Sequence, residues 1–163
     1  MNKIATTLFA AAALTSLSAT ATISVSDTNS ASIELSGVVS SQCKINNDGA
    51  GTASLDMSSS SAQSIGVVNT WCNSGGSTAT VTYASINAGQ LISDGGAQVA
   101  YALDVVGVQT GINLTTPQSV TQTIGTGSDG TSAATSLNIA PVVTGFEDAG
   151  TYSDTITITI APN

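Results

Sequence analysis

The chain has 163 residues, 41% hydrophobic and only 7% charged, with 10 acidic residues against 2 basic ones and no histidine, for a formal net charge of −8. So little positive charge leaves almost nothing to neutralise phosphates, which argues against nucleic-acid binding and against docking on anionic lipid. The missing histidine removes a general base and a metal ligand together.

Residues 1–21 read as a signal peptide. Lys3 supplies the positive start, residues 4–17 form an apolar stretch too short to cross a bilayer, and Ala19-Thr20-Ala21 is an A-x-A cleavage site. No later stretch is apolar enough to span a membrane. After cleavage Lys44 is the only basic side chain, and what remains is one domain's worth of chain. Export places Cys43 and Cys72, the only cysteines, in an oxidising compartment, where an even pair is most simply one disulfide. Closing a loop of about 30 residues would be worth roughly 3–4 kcal/mol on the chain-entropy model. Two thiols without histidine make a poor metal site.

Aromatics are scarce, so the core must rest on Val, Ile, Leu and Ala. Helix signals are almost absent and Ser, Thr, Gly, Val and Ile dominate, an all-β composition. Ile23 and Val25 open an alternating segment. After a polar gap at 27–30 the odd phase resumes through Ile33, Leu35, Gly37 and Val39 to Cys43 and Ile45, one long interrupted strand pattern. Asn46-Asn47-Asp48-Gly49 reads as a turn and 53–57 as a short strand. Strands are expected at 64–72 (SIGVVNTWC), 78–86 (TATVTYASI, with Ala79, Val81 and Tyr83 on one side), 91–92 between turns, 99–106, 120–124 and 136–143. Pro141 in the last of these implies an edge position or a bulge. The closing run 149–160, AGTYSDTITITI, puts Ile156, Ile158 and Ile160 on one face and Thr155, Thr157 and Thr159 on the other. Seven or eight strands with frequent turns make a two-sheet antiparallel sandwich.

Several residue patterns have a chemical and a structural reading. Asp48, Asp94 and Asp129 stand before glycines, where turn chemistry accounts for them better than calcium. Glu147 and Asp148 are adjacent, so in a strand they would face opposite ways, and a solvated loop suits them better than paired acid–base work. No serine has a base to activate it. The chain is therefore expected not to be an enzyme and to need no cofactor or metal. Trp71 points opposite to Cys72 along its strand and is expected to be partly buried. The threonine ladder is expected to be an ordinary solvated face rather than an ice-binding one, because only this strand shows a sustained ladder.

An alternating N-terminal segment leading to Cys43, a strand ending in Cys72 before a Gly-rich turn and TATVTYAS, then VAYALDV, SLNIAP and AGTYSDTITITI follow one another in an order that resembles the spore coat protein U-like pilins. These are secreted subunits of the archaic chaperone–usher pathway. The resemblance implies an incomplete immunoglobulin-like sandwich lacking its seventh strand, with a groove filled by the N-terminal donor strand of the next subunit and, before assembly, by a strand of a periplasmic chaperone. It implies a donor extension at 22–35, with Ile23, Val25, Ala31, Ile33 and Leu35 as pocket fillers, and a sandwich domain at 36–163. Ile33 and Leu35 also fit the buried face of the first strand. Cys43 and Cys72 would tie the first two strands together. The last strand would border the groove, through Tyr152, Ile156, Ile158 and Ile160. The chain departs from the family in ending Ile160-Ala161-Pro162-Asn163 rather than on an aromatic, and in carrying Asp27 and Asn29 on the apolar phase.

The sequence thus leads to a structural subunit of a cell-surface pilus, exported through the periplasm. Its partners would be other pilin subunits, a periplasmic chaperone and an outer-membrane usher, and its role adhesion or biofilm formation. The alternative is a secreted or tip-located adhesin that binds glycan or matrix and does not polymerise.

Overall fold

In the computed structural model, residues 29–30, 32–48 and 51–163 are described. Alternating Val, Ile, Thr and Tyr between Gly, Asn and Asp turns gives, among the described residues, ten strands and no helix. The strands are β1 (Cys43–Asp48), β2 (Gln63–Cys72), β3 (Thr78–Ser85), β4 (Gln90–Ser93), β5 (Gln98–Val105), β6 (Gln109–Ile112), β7 (Gln118–Thr123), β8 (Ala133–Pro141), β9 (Tyr152–Ser153) and β10 (Ile156–Pro162). All their pairings are antiparallel.

Two sheets result. The larger runs β1-β2-β8-β5-β4-β9, with β6 pairing the second half of β5, and the smaller runs β10-β3-β7. Their inner faces supply one core. The smaller sheet gives Val81, Tyr83 and Val120, and the larger gives Val68, Leu103, Val105, Leu137 and Ile139, all buried. The expected all-β two-sheet antiparallel sandwich is what forms.

The first strand differs from its expected length. Residues 32–42 carry no strand, and Ile33 and Leu35 are 85% and 92% exposed rather than set on a buried face. A period-2 pattern creates a strand only where a partner edge accepts it, and β1 finds its partner, β2, only from Cys43 on. Backbone contacts divide the chain into two units between Val38 and Val39. The signal segment 1–21, together with Ile23, Val25 and Ala31, lies outside the described residues.

Other elements shift for similar reasons. Asn46, Asn47 and Asp48 extend β1 against Asn69, Val68 and Val67 instead of turning. Residues 53–57 form no strand, although Leu55 and Met57 still pack on the core. Pro141 lies in an interior strand, since β8 sits between β2 and β5, but as its last residue it removes no central ladder bond. β6 has no hydrophobic alternation beyond Ile112 and escapes sequence reading. Gly66, at a φ of +137°, makes the bulge that shifts the β2–β8 register between Ser64 and Gly66.

Candidate binding groove

The closing run does not remain one strand. β9 pairs with β4 in the larger sheet and β10 pairs with β3 in the smaller. Between them Asp154 and Thr155 carry the chain across. The Asp154 carboxylate accepts hydrogen bonds from Ser85 Oγ at 2.6 Å, Tyr101 Oη at 2.5 Å and the backbone N–H of Asn87 at 3.1 Å and Thr155 at 2.7 Å. Burial, and after it the bond to Asp154, push the Tyr101 hydroxyl pKa up, so this phenol stays protonated and donates. This knot fixes where β10 begins and how it aims its isoleucines.

Among the described residues β10 pairs only with β3, and β1 only with β2, which leaves each with a free edge. The two strands lie beside one another, one from each sheet. A cleft of about 210 Å³ opens here, lined by Ile45, Asn46, Asn47, Val68, Ile156 and Ile158. Ile45, Ile156, Ile158 and Ile160 touch the core yet stay only half-buried. Alternation had placed the isoleucines facing inward, and they do, but over an opening rather than a closed interior.

The disulfide forms as expected. Cys43 and Cys72 are bonded directly opposite one another across β1 and β2, with Cα atoms 4.1 Å apart. Ile160 packs against it with Cys72, Ala79 and Ile124, so the bridge closes one end of the groove region. On the outer face Trp71 is half-buried. Its Nε1–H donates to the Gly127 carbonyl at 2.8 Å, and the Lys44 ammonium lies 5.9 Å from its ring. The loop after β7 is thereby tied to β2. Gly125 bridges Trp71, and on its other side the Thr131 carbonyl comes so near that a Cβ there would collide with it.

The structure therefore brings Ile156 and Ile158 together with Ile45 and Val68, two residues that sequence reasoning had not assigned to the site. The alternation from Cys43 to Ile45 was the signal for Ile45, and the expected strand at 64–72 was the only one for Val68. Tyr152 stands apart: it lies in β9, donates from Oη to the Asp148 carbonyl at 2.8 Å, and lines a separate cleft with Val142 and Phe146. The acidic turn residues hold loops. Asp129 Oδ1 accepts from Thr131 N–H, and Glu147 accepts from Thr144 and Gly145 N–H, bonds that lower both carboxyl pKa values. No family model matches this sequence, and no curated protein matches it.

Proposed function

We propose that this chain is a structural subunit of a cell-surface filament, assembled by strand exchange in the manner of the spore coat protein U-like pilins it resembles. The carrying observation is the half-buried row Ile156 and Ile158 beside Ile45 and Val68, bordered by two free strand edges. An extended segment laid along β10 would satisfy main-chain groups and cover apolar side chains in one step. Each Å² of apolar surface so covered contributes about 25 cal/mol.

The proposed donor is residues 22–35 of the next copy, with Ile23, Val25, Ala31, Ile33 and Leu35 as the inserting side chains. Ile33 and Leu35 are exposed and outside any strand, so they are free to leave their own subunit. On this reading the sandwich is immunoglobulin-like and incomplete, a chaperone strand fills the groove before assembly, and an usher exports the subunit. The work is non-covalent apart from the disulfide, and no residue is assigned to catalysis.

Deletion of residues 22–35 tests this. The truncated chain should remain folded and form no fibres under negative-stain microscopy, and a synthetic peptide of that segment should raise its melting temperature. Fibres from the truncated chain would refute the donor assignment. The cleft beside the 92% exposed Phe146 favours a second reading, a non-polymerising adhesin. Glycan binding by a monomer, with no fibres from the full chain, would select it.

A further inference from the structure

The threonine ladder of β10 is not confined to one strand. The register pairs Thr159 with Thr82 and Thr82 with Ser119, Ala161 with Thr80 and Thr80 with Thr121, and Thr78 with Thr123. Their neighbours Ala79, Val81, Tyr83, Val120, Gln122 and Ile124 are buried, so these residues form the outer face of the smaller sheet. The reason for treating the ladder as an ordinary wet face, its restriction to a single strand, does not survive. The outward positions of β10, β3 and β7 are seven threonines, one serine and two alanines, Thr157 and Ala84 completing the set.

We propose that this face binds an ordered water lattice, the surface of ice. The geometry is that of a grid. Like groups recur about every 6.8 Å along a strand and about every 4.8 Å between strands. Each threonine offers one methyl and one hydroxyl on a side chain whose χ1 is stiff, so the grid holds its shape. One cross-strand pair of hydroxyls, Thr82 Oγ1 and Ser119 Oγ, lies 2.8 Å apart, and the Asn163 side chain bonds the hydroxyls of Thr80 at 2.7 Å and Thr78 at 3.2 Å. Methyl groups order first-shell water without binding it tightly, and the hydroxyls of the exposed Thr121, Thr123, Thr157 and Thr159 can take lattice positions.

The alternatives fit this face less well. None of the positions that make up this face is an acidic residue or a lysine, so they offer no charged side chain to an ionic partner. No aromatic ring is present for a sugar to stack on. The inference goes beyond filament assembly and does not depend on it, since it concerns the sheet face and not the groove.

The test is ice growth under the microscope in the presence of the purified exported chain, single subunits or fibres alike. The chain should facet growing crystals and arrest recrystallisation. Thr121→Lys and Thr159→Lys, at exposed positions, should each abolish both effects with an unchanged melting temperature. Gln98→Lys, exposed on the larger sheet, should retain them. Unshaped crystals with the unmodified chain, or faceting that persists in both threonine variants, would overturn the proposal.

Discussion

The hydroxyl of Tyr101 lies 2.5 Å from the Asp154 carboxylate, joining the middle of β5 to the point where the chain leaves one sheet for the other. Tyr101 is 4% exposed, so its donor has no ready exchange with water. A hydrogen bond to a charged acceptor contributes about 1.5–3 kcal/mol. Tyr101→Phe should lower unfolding free energy by about 2 kcal/mol, seen as a lower urea midpoint at constant slope. A change within about 0.5 kcal/mol, the range of neutral surface substitutions, would mean that the Tyr101–Asp154 bond contributes no net stability.

The bond between Cys43 and Cys72 closes the loop that carries residues 53–57 and all of β2 up to its end. Replacing both cysteines with alanine should cost roughly 3–4 kcal/mol. It should also loosen Ile160, which packs on the bridge. Faster amide exchange in β1 than in β5 of the variant would report that local effect.

Tyr83 donates to Gln122 Oε1 at 3.1 Å in the core, while no described group accepts from the buried Gln122 Nε2. A half-satisfied polar pair is inferior to an apolar one of similar volume. Gln122→Met alone should destabilise, because it strands the Tyr83 hydroxyl. Adding Tyr83→Phe should restore stability to the original level or above. A double variant no better than the single would show that the pair is fully compensated.

Alkaline stability follows from the same two tyrosines. Burial pushes the Tyr83 pKa from 10.0 up to about 12, and burial with the Asp154 bond pushes that of Tyr101 up as well. The folded state therefore keeps protons that the unfolded chain releases. This contribution is fully present below pH 10 and is lost as pH rises through the folded values. The urea midpoint should hold to about pH 10 and fall beyond it. Tyr83→Phe should flatten that fall.

Much of the architecture could be read in the chain itself. The period-2 runs at Ala79, Val81 and Tyr83 and at Ile156, Ile158 and Ile160 put those side chains on one face of their strands, and that face turns to the core. Inwardness in a strand is a local property, set by alternation and by the cost of wetting apolar surface. The Cys43–Cys72 bond was legible too, because two cysteines allow only one intramolecular pairing. Pairing partners were not legible. Alternation could not show that Ile33 and Leu35 lie outside any strand, or that the run from Tyr152 to Ile160 is cut at Asp154 and shared between two sheets.

The sequence by itself determined the β class, the faces of the strands, the disulfide and the near absence of positive charge, since each depends on residue type and spacing alone. Only the tertiary structure decided that Ile156 and Ile158 meet Ile45 and Val68 at an open edge, and that the threonines of three strands align into one uncharged face. Both arise from register between segments far apart in the chain. Register is fixed by which edges pair, a long-range choice that no local pattern encodes.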